Sequence, residues 1–406
     1  MSTPKSLTLP DAARSVTFTA GDHTVGAIVI EPSGDVLGTA LLVPGFTGSA
    51  EDFIHIFDPL ARSGWRVVAI DLPGQKSSPG PKEESAYTLD ELGRVVADLV
   101  EQLDRPHLLG HSLGGLVVQR AVARGARPAS VTLLCSGGEA LPEHRHGALP
   151  ALASVLPEMP LDEVWVIKEE LDRAKGWDPA TPEAYEFVKA RFIAHNPQAL
   201  RTMALMLLHT PEMSELPGDL PVLVAYGVDD DAWTTEHQDG LATRHGGISV
   251  RIPGAGHSPA VDAPAHTAAV LTSFWCGGLT QSSQGYDPLV DAHFPLVAQP
   301  SAPQEARQHL ATITDSLDAA LIVTELVANA ISHGIGPFAL HIDSDPPHIT
   351  LRVSDSDPHT IPVELDAGLD QAHGRGMSLV ASLAQQWGWE RGPQGKVVWA
   401  RVVVES

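Results

Sequence analysis

A serine stands at the centre of the glycine-flanked motif Gly110-His111-Ser112-Leu113-Gly114. The motif follows a short apolar run and precedes a helix-like segment, LVVQRAVARG. A serine held at such a strand-to-helix turn has strained backbone angles and no room for side chains two residues away, so glycines are needed there. The hydroxyl then lies at the positive end of a helix. We therefore predict that Ser112 is a nucleophile.

A serine hydroxyl becomes a useful nucleophile when a histidine accepts its proton and a carboxylate orients that histidine. At this kind of turn the chain order is serine, acid, histidine. The last strand-like run is followed by His257, in GAGHSP, and the run before it by Asp229, Asp230 and Asp231, in YGVDDD. We choose Asp230, three residues after Gly227, and interpret the other two carboxylates as turn or surface residues.

Acyl transfer also needs two backbone N–H groups that stabilise the negative oxygen of the tetrahedral intermediate. One is expected from Leu113, directly after the nucleophile. The other is expected from the loop after the apolar run TALLVPG, where Gly45 leads into Phe46. The predicted oxyanion hole therefore consists of the amides of Phe46 and Leu113.

A second set of polar residues occurs in the C-terminal part of the chain. The segment SLDAALIVTELVANAISHG is apolar almost all round, which predicts a buried helix. Within it, Glu325, Asn329 and His333 recur every four residues and so share one face. A buried polar stripe must find partners or line a site.

The elements that carry the serine motif form the first part of the chain. After a predicted meander of VTFTA and TVGAIVI, the runs TALLVPG, RVVAIDLPG, PHLLGHS, ASVTLLCS, PVLVAYG and ISVRIPG alternate with helix-like stretches. Continuous apolar runs in this alternation predict a doubly wound, mostly parallel α/β sheet. Residues 139–216 interrupt it with helical patterns only, which we interpret as a lid; the alternative is a bulky connection.

The stretch GGLTQSSQGYDP lacks apolar periodicity and has the composition of a flexible linker. Beyond it, a strand, two helices (302–314 and 316–333), two strands, a helix and a closing strand predict an α+β sandwich. We therefore predict an α/β domain over residues 1–277, a linker over 278–290 and an α+β domain over 291–406.

The charge, the cysteines and the lack of long apolar stretches argue against several classes of protein. The 406 residues include 26 basic and 50 acidic ones, a formal net charge of −24, which argues against binding to nucleic acid or to an anionic membrane. Cys135 and Cys276, the only cysteines, lie in apolar runs and are expected to be buried thiols rather than a disulfide or a metal site. No stretch approaches 18 apolar residues and the first residues lack an apolar signal segment, so a cytoplasmic location is expected.

Five segments, LLVPGFTGSAEDF, VVAIDLPGQKSSPG, LLGHSLGG, YGVDDD and GAGHSP, resemble the α/β-hydrolase family of esterases and lipases in order and spacing, over about residues 15–276. The resemblance implies hydrolysis of a small-molecule acyl substrate without a cofactor in this domain. A serine nucleophile disfavours the family branches that use aspartate, while esters, thioesters, lactones and C–C substrates stay open. Where the family often has His-Gly, this chain has Pro44-Gly45, which keeps the Phe46 amide but changes hydrogen bonding on the substrate side.

The polar stripe in the C-terminal part resembles the N-box of the histidine-kinase/gyrase-type (GHKL) ATP-binding fold. The resemblance implies that Asn329 holds Mg²⁺ on the triphosphate of ATP and that Glu325 orients a water or hydroxyl. It also implies that Asp355, at the end of a strand-like run, reads the adenine amino group. Gly374 and Gly376 match the glycine turn that opens a helix near the phosphates, a favourable place for an anion.

The C-terminal run as a whole resembles the bacterial anti-sigma-factor serine kinases, with a departure at Ser356-Asp357, where many relatives have glycine. It implies serine/threonine kinase activity and a sigma factor or its antagonist as partner. Two hypotheses follow: a serine hydrolase fused to an ATP-binding regulatory domain, or an anti-sigma-type binding protein whose hydrolase domain senses a ligand. The acyl substrate, the oligomeric state and any coupling between the domains stay open.

Overall fold

The computed structural model describes residues 3–277 apart from residues 5, 33, 35, 175, 178 and 180, and residues 291–404 apart from residues 312, 346, 358–375, 393 and 394. The described residues form two compact units, the first ending at Thr267 and the second starting at Ala268. The predicted linker, 278–290, lies outside the described residues. The predicted domain boundaries therefore stay predictions.

The first unit is built on an eight-stranded sheet. Its strands are β1 Ala13–Ala20, β2 His23–Ile30, β3 Gly38–Val43, β4 Trp65–Ile70, β5 His107–His111, β6 Ser130–Leu134, β7 Val222–Gly227 and β8 Ile248–Ile252. They lie in the order β1-β2-β4-β3-β5-β6-β7-β8, in which β2 pairs antiparallel with β1 and β4 and the other pairs are parallel. The predicted doubly wound, mostly parallel sheet is confirmed.

Helices lie between these strands or follow them. They are α1 Ile54–Arg62, α2 Leu89–Gln102, α3 Leu113–Ala123, α4 Leu149–Val155, α5 Leu161–Ala174, α6 Pro182–Ile193, α7 Pro197–His209, α8 Thr235–Arg244, α9 Pro259–Asp262 and α10 Pro264–Trp275, of which the residues from Ala268 onward belong to the second unit. Every residue of β6 and β7 is buried, which is why these strands are continuous apolar runs in the sequence. The face that α2 buries follows the three-to-four residue spacing of an amphipathic helix: Leu92, Val95, Val96, Leu99 and Val100.

Residues 139–216 contain the four helices α4 to α7 and, among their described residues, no strand, as predicted. This segment, named the lid segment here after its predicted role, has a small apolar core of its own, in which the ring of Trp165 on α5 packs 5.6 Å from that of Phe192 on α6. Whether it is a lid or a bulky connection stays a prediction. Prolines in the first turn of α4, α6 and α7 fit the helix starts, because that position needs no amide donor.

The second unit is an α+β sandwich, as predicted. Its elements are β9 Asp291–Leu296, α11 Ala302–Leu310, α12 Leu317–His333, β10 Phe338–Asp345, β11 His348–Asp355, α13 Gly376–Leu383, β12 Gln386–Gly392 and β13 Gly395–Val403. The five strands pair antiparallel in the order β12-β13-β11-β10-β9. No helix in the described part of either unit is long and apolar enough to cross a membrane.

One strand of the second unit was not predicted. The segment QWGWERG forms β12, in which the half-buried Trp387 and Trp389 pack against the core. Gly388 between them leaves room for the ring of Trp399 on the neighbouring strand. The alternation of aromatic and small or polar residues is the signal of a strand, and it could have been recognised.

Two predictions of burial were wrong. α12 is buried on one face only: its first residue, Leu317, is 79% exposed, and His333 is exposed as well. The helix carries apolar residues on both faces, so composition alone could not tell which face packs. Cys276 is also exposed, because it follows the last residue of α10, whereas Cys135 is buried as expected.

Candidate functional site

Ser112 lies at the turn between β5 and α3. Its backbone angles, φ 54° and ψ −122°, fall in a region that residues with side chains rarely adopt. A Cβ on Gly110 would overlap the carbonyl oxygen of Gly114, and a Cβ on Gly114 would overlap the carbonyl oxygen of Val43. The two glycines of the motif are therefore what makes this turn sterically accessible.

The structure brings Ser112, Asp230 and His257 together at the carboxyl ends of β5, β7 and β8. Nε2 of His257 lies 3.0 Å from Oγ of Ser112, and Nδ1 of His257 lies 2.8 Å from Oδ1 of Asp230. With the Nδ1 proton donated to the carboxylate, Nε2 is free to accept the serine proton. This is the arrangement that general-base activation of a hydroxyl requires.

The carboxylate of Asp230 is held by more than the histidine. Its side chain is 2% exposed; the amide of Ala232 donates to Oδ1 and Nε2 of Gln238 donates to Oδ2, each at 2.9 Å. Burial opposes ionisation, but the hydrogen bonds from His257, Ala232 and Gln238 outweigh it and hold the pKa of Asp230 below its ordinary value. Asp230 is therefore ionised at neutral pH and can stabilise an imidazolium.

The two neighbouring carboxylates do not take part in this arrangement. Asp229 and Asp231 are exposed, and the hydrogen bond at Asp231 involves its backbone carbonyl, to which Nη1 of Arg145 donates at 2.7 Å. The geometry thus favours the choice of Asp230 made from the sequence.

The loop that carries Phe46 faces the same site. Phe46 and Ser112 line one cavity, and Leu113 is the first residue of α3, where amides have no acceptor within the helix. The buried Gln75 holds the loop: its Nε2 donates to the carbonyl oxygens of Gly45 at 2.8 Å and of Phe46 at 3.3 Å. Gln75 was not recognised in the sequence, where nothing connects it with a loop 29 residues earlier.

Two further buried residues support the histidine and its loop. Burial lowers the pKa of His111 to about 4, so this ring is neutral and its Nε2 donates to the carbonyl oxygen of His257 at 2.7 Å. The sulfur of Cys135 accepts from the amide of Gly227 at 3.5 Å and donates to the carbonyl oxygen of Gly256 at 3.6 Å. Cys135 therefore links the strand end before the acid with the loop of the base.

A cavity of about 370 Å³ opens in front of Ser112, within the range of small-molecule sites. Its wall includes an ion pair on α5, Lys168 with Asp172. Most of its wall is apolar and comes from the lid helices and the loops beside Ser112: Phe46, Leu149, Leu152, Val155, Val164, Ile167, Leu171, Leu207 and Trp233. The cavity suits an apolar group next to a reactive carbonyl.

The second unit contains the other predicted set. Nζ of Lys396 donates to Oδ1 of Asp355 at 2.8 Å, as does the amide of Asp357 at 2.8 Å. Oδ2 of Asp355 and Nδ2 of Asn329 are buried and have no hydrogen-bond partner among the described residues. Glu325 lies half-buried one helical turn before Asn329. Buried polar atoms without partners fit a polar ligand.

Of the two predicted glycines near the phosphates, the structure describes one. Gly376 is the first residue of α13, whereas Gly374 lies outside the described residues. The end of α12 and the end of β11 meet: a Cβ on Gly334 would overlap the carboxylate of Asp355, and the amide of Ser356 donates to the carbonyl oxygen of Ile335 at 2.7 Å. Lys396 was not predicted, because its neighbour Asp355 is 41 residues away in the chain.

Family models match both units. The model of the alpha/beta hydrolase family matches residues 40–270, and the model of the histidine kinase-like ATPase domain matches residues 297–402. The first match covers more than half of the chain.

Curated relatives match shorter stretches. The chain is 40% identical over 105 residues to the dihydrolipoyllysine-residue acetyltransferase component of the acetoin cleaving system of Pseudomonas putida, covering 25% of this chain and 28% of that protein. It is 33% identical over 141 residues to a 2-hydroxy-6-oxononadienedioate/2-hydroxy-6-oxononatrienedioate hydrolase of Cupriavidus pinatubonensis, covering 33% of this chain and 47% of that protein. The chain thus spans less than half the length of these relatives.

Among solved structures, a hydrolase from Pseudomonas aeruginosa PA01 superposes with a TM-score of 0.52 at 22% identity, over 64% of this chain and 98% of that one. At this identity the likeness shows the fold. The chain belongs to the alpha/beta hydrolase family and carries a histidine kinase-like ATPase domain in its C-terminal part.

Proposed function

We propose that the hydrolase domain transfers the acyl group of a carboxylic ester to water, with Ser112 as nucleophile, His257 as base and Asp230 as the orienting acid. The observation that supports this best is the continuous hydrogen-bond chain from Oγ of Ser112 through His257 to Asp230. It lies at a strained turn and beside an apolar cavity.

In the proposed reaction, Oγ of Ser112 attacks the ester carbonyl carbon while Nε2 of His257 takes the hydroxyl proton. The amides of Phe46 and Leu113 donate to the carbonyl oxygen as it becomes negative. His257 returns the proton to the leaving alkoxide, which departs as the alcohol and leaves an acyl-serine. A water then attacks the acyl-serine, His257 takes its proton and returns it to Ser112, and the carboxylic acid is released. Asp230 stabilises each imidazolium.

The apolar wall of the cavity indicates that the bound part of the substrate is an apolar acyl chain. Burial of each methylene is worth about 0.8 kcal/mol, so kcat/KM for p-nitrophenyl esters is expected to rise up to about fourfold per methylene. The rise should extend from acetate into medium-length chains and end when the cavity is filled. A panel of p-nitrophenyl esters from acetate to decanoate measures it. Absence of hydrolysis across the whole panel would contradict the proposal.

For the histidine kinase-like domain we propose that it binds ATP with Mg²⁺ and acts as a regulatory domain. Two buried atoms without partners support binding of the nucleotide: Nδ2 of Asn329 can donate to a phosphate oxygen, and Oδ2 of Asp355 can accept from the adenine amino group. The Mg²⁺ role is what the resemblance to the GHKL fold implies. Asn329 would contribute to holding Mg²⁺, Glu325 would orient a water or hydroxyl, and Asp355 would offer Oδ2 to the adenine amino group. When bound, the nucleotide supplies a transferable phosphoryl group. Lys396 already neutralises Asp355, so the adenine contact is made by an ion-paired carboxylate.

A regulatory alternative uses the same two sites differently. In it the hydrolase domain senses a ligand, and the C-terminal domain captures or phosphorylates a sigma factor or its antagonist. Its support is the resemblance of the C-terminal run to anti-sigma-factor serine kinases. Esterase turnover by the full chain would favour the enzyme hypothesis over this one.

Replacement of Asn329 with alanine is expected to weaken ATP binding about tenfold in the presence of Mg²⁺, a loss of about 1.4 kcal/mol. The reason is that an amide oxygen can complete the oxygen shell of Mg²⁺ shared with phosphates. Isothermal titration of the full chain, with Mg²⁺ and with EDTA, measures it.

The control is Asp318→Asn, because Asp318 is exposed at the start of the same helix; its affinity should match that of the wild type. Equal losses for Asn329→Ala with and without Mg²⁺ would refute the metal role. If the wild-type chain does not bind millimolar ATP, the nucleotide proposal is wrong.

A further inference from the structure

A buried carboxylate lies directly against the loop of the proposed oxyanion hole. Asp52 belongs to the single helical turn Ala50–Phe53 after this loop, and its Oδ2 accepts the amide of Ser49 at 3.3 Å. A Cβ on Gly48 would overlap the same oxygen, so the carboxylate packs against the loop backbone. Asp52 and Phe46 also line the cavity in front of the nucleophile. A displacement of Asp52 would therefore displace the loop.

The partner of Asp52 comes from the lid segment. Nη1 of Arg191, on α6, lies 2.6 Å from Oδ1 of Asp52 and 3.5 Å from Oγ of Ser49. The two side chains are 0% and 3% exposed, and the guanidinium lies 5.2 Å from the ring of Phe187. A fully buried ion pair thus joins α6 to the loop after β3, across 139 residues of sequence.

The charges of this pair compensate each other. A titratable ring just after the end of α6 is that of His195, whose Nδ1 donates to the carbonyl oxygen of Arg191 at 2.6 Å. Burial lowers the pKa of His195 to about 4, so this ring is neutral at physiological pH. Without α6 in place, Asp52 would be left as an unpaired charge in an apolar environment, which is strongly unfavourable.

We propose that Asp52 and Arg191 are positioning residues for the oxyanion hole, which hold the Phe46 amide in place only while α6 of the lid segment is seated. Neither residue touches the reacting atoms; they act through the backbone between Phe46 and Ser49. The lid would then cover the substrate and complete the oxyanion hole in a single movement. This inference rests on the proposed esterase function.

The test is a double variant, Asp52→Leu with Arg191→Met, in the full chain. It removes both charges and replaces them with apolar groups, a change that folded proteins usually tolerate. We expect a melting temperature close to that of the wild type and a kcat for p-nitrophenyl butyrate about ten- to a hundredfold lower. KM should stay within about threefold, because the apolar side chains of the cavity that bind the acyl chain are kept.

A matched control breaks another contact between the lid segment and the rest of the unit. Nη1 of Arg201, on α7, forms an ion pair with both carboxylate oxygens of Glu84, at 2.8 and 2.9 Å. Neither residue belongs to the loop between Phe46 and Ser49. Arg201→Met should leave kcat and KM within about twofold of the wild type, since such exposed pairs contribute little.

A folded double variant with the kcat of the wild type would overturn the inference. If the double variant does not fold, Arg191→Lys decides: it keeps the charge but loses the reach of the guanidinium, so an unchanged kcat would equally overturn it. Failure of the proposed function looks different. In that case the wild-type chain neither hydrolyses esters nor reacts with a fluorophosphonate at Ser112.

Discussion

Replacement of Ser112 with alanine is expected to lower kcat for ester hydrolysis by at least about 10⁴-fold, the scale seen when a nucleophile of this kind is removed. The reason is that, among the described residues, Oγ of Ser112 is the hydroxyl that forms a hydrogen bond with Nε2 of His257, at 3.0 Å. The backbone needs no rearrangement, because alanine keeps the Cβ of serine. Initial rates with p-nitrophenyl butyrate and the circular dichroism spectrum of both proteins measure the effect.

The matched control is Ser154→Ala. Ser154 is an exposed serine of α4 whose hydroxyl donates only to the carbonyl oxygen of Ala151, at 2.7 Å, so its removal should leave the rate unchanged. Esterase activity of Ser112→Ala comparable to that of the wild type would mean that another group performs the reaction.

The second large effect is expected for Asp230→Asn, a loss in kcat of about 10⁴-fold. Asp230 accepts three hydrogen bonds, from His257 and Ala232 at Oδ1 and from Gln238 at Oδ2. An asparagine has one accepting end, so it must leave at least one donor unpaired, and an amide N–H facing Nδ1 favours the wrong histidine tautomer. Steady-state kinetics of the purified variant measure the loss.

Asp229→Asn and Asp231→Asn are the controls in the same loop. Both side chains are exposed, so each variant should keep kcat within about threefold of the wild type, as surface substitutions usually do. A larger loss for Asp229→Asn than for Asp230→Asn would assign the acid to the neighbouring position.

The strands of the first unit and the residues that follow them could be predicted, because each has a local pattern in the sequence. Strands β3 to β7 are mostly apolar runs, and β8 alternates apolar with polar residues. In a parallel sheet the carboxyl ends of the strands meet at one edge, so residues that follow different strands come together. Ser112, Asp230 and His257 each follow one of these strands. It was therefore predictable that these three residues lie close together, although His257 is 145 residues from Ser112 and 27 residues from Asp230 in the chain.

The supporting residues of the sites could not be predicted, because their roles come from contacts between distant segments that no sequence pattern indicates. Gln75 and Gln238 are ordinary polar residues in the sequence, and only the folded chain shows that they hold the oxyanion loop and Asp230. Arg191 lies in a helix rich in charged residues, where nothing indicates that its side chain is buried against Asp52. Lys396 similarly gains its role from the antiparallel pairing of β11 with β13.

The chemical reactivity of Ser112 shows whether this serine is the activated nucleophile. The wild-type chain is incubated with a fluorophosphonate, which reacts with a serine that a neighbouring histidine activates, and the product is analysed by intact mass and by peptide mapping. We expect one adduct per chain, located on Ser112, and no adduct on the Ser112→Ala variant. A chain that stays unmodified, or that carries its adduct on another residue, would contradict it.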